Sequence, residues 1–169
     1  MSRFIALAAL PLLAACASVP QPLRGEFSTM QPSAAIGSSE TVRWGGRVIE
    51  VLSTSDESCV EVVGLPLDHS ARPLDVDDEI GRFRACKPGF LDPAIFAPGR
   101  EITVTGRVEG EVTRQLGEYT YRMPRVLADS VLLWPERVDA VHVHQDPFYW
   151  GPGWWPMRPL IIVPAPRRH

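Results

Sequence analysis

The segment Glu101–Val112 is the most strictly alternating stretch of this 169-residue chain. Ile102, Val104, Gly106, Val108, Gly110 and Val112 fall on one face, and Thr103, Thr105, Arg107, Glu109 and Glu111 on the other. A period of two is the signature of a strand with one face in a core and one in solvent. The pattern places Val104 inside and Thr105 outside. The two inward glycines suit the tight curvature of a small barrel.

Other strands share this grammar. Val42, Trp44, Val48, Ile49 and Val51 form a strand whose phase changes at Gly45-Gly46, where a bulge is expected. Further strands are expected at about 57–65, 80–87 and 126–134, with a short strand or loop arm at 118–121. A polar loop with Pro66, Pro73 and the acidic run Asp75, Asp77, Asp78, Glu79 separates the second strand from the third. If these two form a hairpin with Cys59 opposite Cys86, Val60 faces Ala85 and Val62 faces Phe83, while Glu61 meets Arg84 on the outer face. One register then satisfies apolar side, charge pair and cysteines together. The cysteines read as a disulfide, or else as two free, half-buried thiols. After them, Asp92 is placed to cap a short helix with Pro93 in its first turn and Gly99 at its end. Three strands, a short helix and further strands match the order of the five-stranded OB barrel, in which the helix lies between strands 3 and 4. A small β-sandwich has similar strand spacing. The expected fold is thus mainly β, an OB-like five-stranded barrel over residues 41–135.

The N-terminus constrains location. Arg3 precedes an apolar run from Phe4 to Ala15, too short to span a bilayer. Leu13-Ala14-Ala15-Cys16 resembles the lipobox of bacterial lipoproteins, which implies a signal peptide at 1–15 and a lipidated Cys16. Residues 16–40, rich in Ser, Pro, Gln and Gly, read as a flexible tether, with a reach of about 3.3 Å per residue. The formal charge is -3. A mildly acidic chain has no general attraction for phosphate backbones, so nucleic acid is not an expected partner.

Catalytic chemistry finds no support. There is no G-x-S-x-G elbow, and the Asp68, His69, Ser70 group reads as a solvated loop. No catalytic residue, enzyme activity or cofactor is assigned. His142 and His144 share a face if extended and have Asp139 and Asp146 nearby, a weak metal candidate that two imidazoles do not complete. Residues 136–169 form a tail whose Pro, Gly and aromatic content, from Pro147 to Pro156, denies it a long helix or central strand. Trp150, Trp154 and Trp155 suit a lipid headgroup layer, sugar rings of peptidoglycan or lipopolysaccharide, or a protein partner; equally they suit a lid over the barrel.

Several segments in order, R-W-G-G-R-V-I (43–49), V-V-G-L-P-L-D (62–68), G-R-F (81–83), G-F-L-D-P (89–93), G-R-E-I-T-V-T-G-R-V-E-G-E (99–111) and L-W (133–134), resemble the Slp family of starvation-inducible outer-membrane lipoproteins of Gram-negative bacteria. The resemblance implies a lipid-anchored β-domain on the periplasmic side of the outer membrane, linked to starvation or stress. It supplies no ligand. Ala17 and Ser18 after Cys16, in place of Asp, agree with outer-membrane sorting. The reading is a non-enzymatic envelope lipoprotein that binds a glycan or protein partner, or alternatively a purely structural one without a dedicated ligand. Substituting Cys16→Ala is expected to leave the chain unprocessed or mislocalised, read by membrane fractionation. A mature, detergent-requiring variant would contradict the lipidation.

Overall fold

The computed structural model describes residues 18–137. Five strands form a closed barrel in the order β1-β2-β3-β5-β4. They are β1 (Thr41–Ser53), β2 (Glu57–Leu65), β3 (Gly81–Pro88), β4 (Glu101–Leu116) and β5 (Tyr119–Leu133). Every pairing is antiparallel except β3 with β5, as an OB-like barrel requires. The interior holds Val42, Trp44, Val60, Val62, Phe83, Val104, Val108 and Val126, all buried. The Trp44 and Phe83 rings meet with centroids 5.4 Å apart.

The β2–β3 register pairs Cys59 with Cys86, Val60 with Ala85, Glu61 with Arg84 and Val62 with Phe83. Cys59 and Cys86 are joined by a disulfide in the structure. On the loop-entropy account, closing a loop of this length contributes about 3.5 kcal/mol.

Glycine permits the barrel to close. A Cβ on Gly46 would stand 1.8 Å from the Val63 carbonyl oxygen, and one on Gly106 would stand 2.1 Å from that of Leu127. Both strands pass too near a neighbouring backbone to carry a side chain there.

Local features differ from the expected ones. In β1 the register shifts between Val48 and Glu50, not at Gly45-Gly46, whose role is close approach. Gly110 does not face inward. It is exposed, with φ of +83°, and sits where β4 shifts register between Val108 and Glu111. There β4 stops lining the barrel and continues as an arm. The segment at 118–121 is no separate strand: β5 runs unbroken from Tyr119 through Pro124, which lies opposite Glu111 at that irregularity and so costs no regular ladder bond. Instead of a helix between strands 3 and 4 there is a single capped turn. The Asp92 carboxylate accepts from the Ala94 amide, and the Asp92 carbonyl from those of Ile95 and Phe96. Pro98-Gly99 ends it, Gly99 with φ of +84°. Leu91 and Phe96 pack against the core from this turn.

Two coverings replace surfaces expected to face solvent. The described part of the tether, residues 18–40, lies along the barrel. Short 3-10 turns at Gln21–Leu23 and Pro32–Ala34 bury Leu23 and Pro32, Ser28 bridges to Val42, and the Trp44 indole donates to the Met30 carbonyl at 2.7 Å. The outer face of β4 is covered too: Thr103 and Thr105 are both buried. Thr103 Oγ1 donates to the Ala71 carbonyl and accepts from the Trp134 indole. Thr105 is therefore an interior position, and an aspartate there is as unwelcome as at Val104. Among the described residues no helix is long and apolar enough to cross a membrane.

Val104→Asp, Thr105→Asp and Gly46→Ala are each expected to lower the melting temperature by more than about 6 °C, because each buries a charge or forces backbones apart. Exposed Arg107→Ser is expected to leave it within about 2 °C. A tolerated aspartate at Thr105 would contradict the two-sided burial of β4.

Candidate functional site

The outer face of β2 and β3 carries the alternates of the core residues: Glu57, Glu61, Arg82 and Arg84. In OB barrels this face, flanked by the loops between strands 1–2 and 4–5, takes oligonucleotides and oligosaccharides. In this chain the β4–β5 connection is the long arm formed by β4 beyond Gly110 and β5 before Pro124, and that arm contributes Arg114 to the face.

Glu61 is fully buried at its centre. Its Oε2 accepts from Arg114 at 2.7 Å and from Arg84 at 3.2 Å, while Arg82 lies 3.6 Å from Oε1. The Glu61–Arg84 pair thus exists, but beneath the arm and not on an open face. Arg114 also reaches Glu50 on β1. The hydrogen bond that Arg114 donates to Glu61, first, and the charges of both carboxylates raise its guanidinium further above its ordinary pKa, against the opposing effect of burial. Arg125 on β5 extends the network to Glu57 and Glu109. Three guanidiniums share the buried carboxylate, and Glu61 Oε1 and Arg84 Nε have no hydrogen-bond partner among the described residues.

What stays open is a groove of about 280 Å³ along the edge of the arm. The N-terminal segment forms one wall with Pro32, Ser33 and Ile36; the arm forms the other with Tyr119, Tyr121 and Arg122; Arg82 reaches it from β3. The Arg82 guanidinium stacks over the Tyr121 ring at 5.5 Å, and the Arg82 amide donates to the Tyr121 hydroxyl at 3.4 Å. Tyr119 and Tyr121 have centroids 6.3 Å apart and tilted planes. Tyr119 is 66% exposed. Arg122, exposed, is paired with Glu111. A second hollow, of about 410 Å³, lies by Phe27, Met30, Arg43, Trp44 and Leu65, and is lined mainly by apolar side chains.

The Asp68, His69, Ser70 group is architectural. One oxygen of Asp68 accepts from the Ser70 amide and hydroxyl and the Arg72 amide, making a tight turn. Burial would raise its pKa, but these hydrogen bonds and the nearby His69 hold it below the usual aspartate value. Ser70 bonds Asp68 directly, and His69 is exposed, so no relay runs through the imidazole. This turn holds Ala71 against Thr103, which explains how a polar loop comes to cover β4. Glu57 lies with Cys59 and Cys86 within reach of a common ion, but the sulfurs are joined to each other. Cys16, His142, His144, Trp150, Trp154 and Trp155 lie outside the described residues. A short strand or loop arm was expected at 118–121, but not its extent, built from the ends of both β4 and β5, nor the tyrosine groove beside it. Their signal is the run Glu118-Tyr119-Thr120-Tyr121-Arg122 after Gly117, which continues the alternation of β4 into a hairpin.

Among the described residues these features define a small closed β-barrel of the OB-like class with a hairpin arm folded over one face. Residues 13–160 match the family model described as the outer membrane lipoprotein Slp family, and the chain belongs to that family. It is 29% identical over 156 residues to "Uncharacterized lipoprotein YeaY" of Escherichia coli K12, covering 86% of this chain and 79% of that protein. It is likewise 29% identical over 154 residues to "Outer membrane protein Slp" of the same organism, covering 86% and 81%. An uncharacterized protein of Haemophilus influenzae is 28% identical over 129 residues, covering 72% and 70%. No solved structure matches. Family membership supports an outer-membrane lipoprotein identity.

Glu61→Gln is expected to destabilise the domain by about 3 kcal/mol, because it leaves three half-buried guanidiniums crowded together without their shared counter-charge. Glu111→Gln, which breaks an exposed pair, is expected to cost less than about 1 kcal/mol. Urea unfolding measures both, and equal effects would contradict the central role of Glu61.

Proposed function

We propose that this chain is a non-enzymatic lipoprotein, anchored through Cys16 in the outer membrane, whose periplasm-facing barrel binds an envelope glycan and serves envelope maintenance under starvation or stress. The observation that carries the binding reading is the groove beside the arm, where the exposed Tyr119, the half-buried Tyr121 and arginines stand together at the margin of the face that OB barrels devote to oligosaccharides. Aromatic faces and guanidinium forks are the two kinds of group that hold a substituted sugar: the ring packs on the apolar C–H face, and the fork takes an anionic substituent. The lipobox-like N-terminus and the family's description support the anchor. Tethering by lipid would keep the domain close to its ligand, so modest intrinsic affinity suffices.

The test is co-sedimentation of the purified full chain in detergent with intact peptidoglycan sacculi, and capture on immobilised lipopolysaccharide. Retention on at least one of these, competed by soluble fragments of the same glycan, is expected. A chain retained by neither would overturn glycan binding and leave the purely structural reading.

A further inference from the structure

Arg82 is held in an unusual position. Its aliphatic stem rises from β3 beside the buried Glu61, its guanidinium faces Glu61 Oε1 at 3.6 Å, and its plane lies over Tyr121. It shares Glu61 with Arg114 and Arg84, which stand closer to that carboxylate. Within this inner cluster, Arg82, Arg84 and Arg114 face two carboxylates, Glu61 and Glu50. Arg82 side-chain donors make no hydrogen bond among the described residues, although the side chain is only 27% exposed. A guanidinium in this state is oriented from below by its ion pair with Glu61 and from the side by an aromatic ring, and its donors have no acceptor within hydrogen-bond distance among the described residues. Such pre-orientation lowers the ordering cost of binding a planar anion.

The rest of the groove narrows the ligand. Tyr119 offers a bare ring face at one end, and Pro32, Pro124 and Ser33 close the floor and side. About 280 Å³ is at the small end of ligand sites and has room for a short glycan, not for a folded partner. Mixed aromatic, proline and arginine walls fit a ring with apolar and polar faces that carries one negative group. We infer that this groove is a binding site for an anionic sugar, a pyranose stacked on Tyr119 with its carboxylate or phosphate on Arg82 and on Arg122, which it would share with Glu111. The inference rests on the glycan-binding reading above and assigns it a place and a charge preference. A carboxylated sugar comes from the muramic acid of peptidoglycan, a phosphorylated one from the lipopolysaccharide headgroup.

Titration calorimetry of the full chain in detergent tests it with three probes: the disaccharide of N-acetylglucosamine and N-acetylmuramic acid, glucosamine 1-phosphate, and the neutral disaccharide of N-acetylglucosamine. At least one anionic sugar is expected to bind about tenfold or more tightly than the neutral one, and the tighter of the two names the source. Tyr119→Ala, Arg82→Gln and Arg122→Gln are each expected to weaken that probe by about fivefold to tenfold. Arg82→Gln touches the buried cluster, so its melting temperature is measured alongside. Tyr119→Ala alters only an exposed ring and keeps the test independent of folding. Equal affinity for neutral and anionic sugars, or unchanged binding by Tyr119→Ala, would overturn the site. If Tyr119→Ala still co-sediments with sacculi as the unsubstituted chain does, the groove is wrong and glycan binding stands elsewhere. If the unsubstituted chain retains no glycan, the functional reading itself fails.

Discussion

A carboxylate without solvent exposure must be neutralised where it stands, and Glu61 is that group here. It projects from the outer face of β2, a position that would be open to water in a bare barrel. Arg114, 53 residues later in the sequence, descends from the β4–β5 arm to meet it. The ion pair therefore does more than join two side chains. It holds the arm down over β2 and β3, covers the face an OB barrel would offer to a ligand, and leaves a groove along the arm's edge. Arg82, drawn toward the same carboxylate, joins the lining of that opening. Position of arm, coverage of face and shape of groove all follow from one buried charge.

The barrel beneath supplies the rigidity this arrangement needs. Gly46 and Gly106 let neighbouring strands approach, the Cys59–Cys86 bridge ties β2 to β3, and the N-terminal segment caps Trp44 from outside. Because Arg82 and Arg84 stand on β3 and Glu61 on β2, that bridged hairpin presents the entire lower half of the charge cluster. Sites carried on paired strands hold their geometry better than sites on loops. The groove combines one wall from the arm with one from the N-terminal segment, so both coverings shape it.

Much of the fold was legible in the residues. Alternation in 57–65 and 80–87, read with the facing cysteines, places Val60 opposite Ala85 and Val62 opposite Phe83, because a one-residue slip would invert every side chain. The strand order pointed to an OB-like barrel. What alternation cannot report is a second layer. Thr103 and Thr105 are polar enough to read as solvent-facing, yet the 66–74 loop and Trp134 cover Thr103 and supply its hydrogen bonds. Residues 18–40 look like a tether by composition, but Leu23, Pro32 and Ala35 are enough to dock them. The helix expected after Asp92 shrinks to one turn because so little chain separates it from Pro98 and Gly99. The groove was illegible because Arg82, Tyr121 and Ser33 come from three distant segments, and only closure of the arm brings them together.

In this member of the family the hairpin arm covers the β2–β3 face of the small barrel and leaves a groove at its margin, the surface proposed above for recognition. The claim on which this depends is that the Arg114–Glu61 contact holds the arm. Hydrogen–deuterium exchange of the full chain, compared with Arg114→Met, tests it most directly. The account predicts that amides of residues 111–121 exchange at least about tenfold faster in the variant, while those of Val60, Val62 and Phe83 keep their protection. Unchanged exchange in the arm would contradict it.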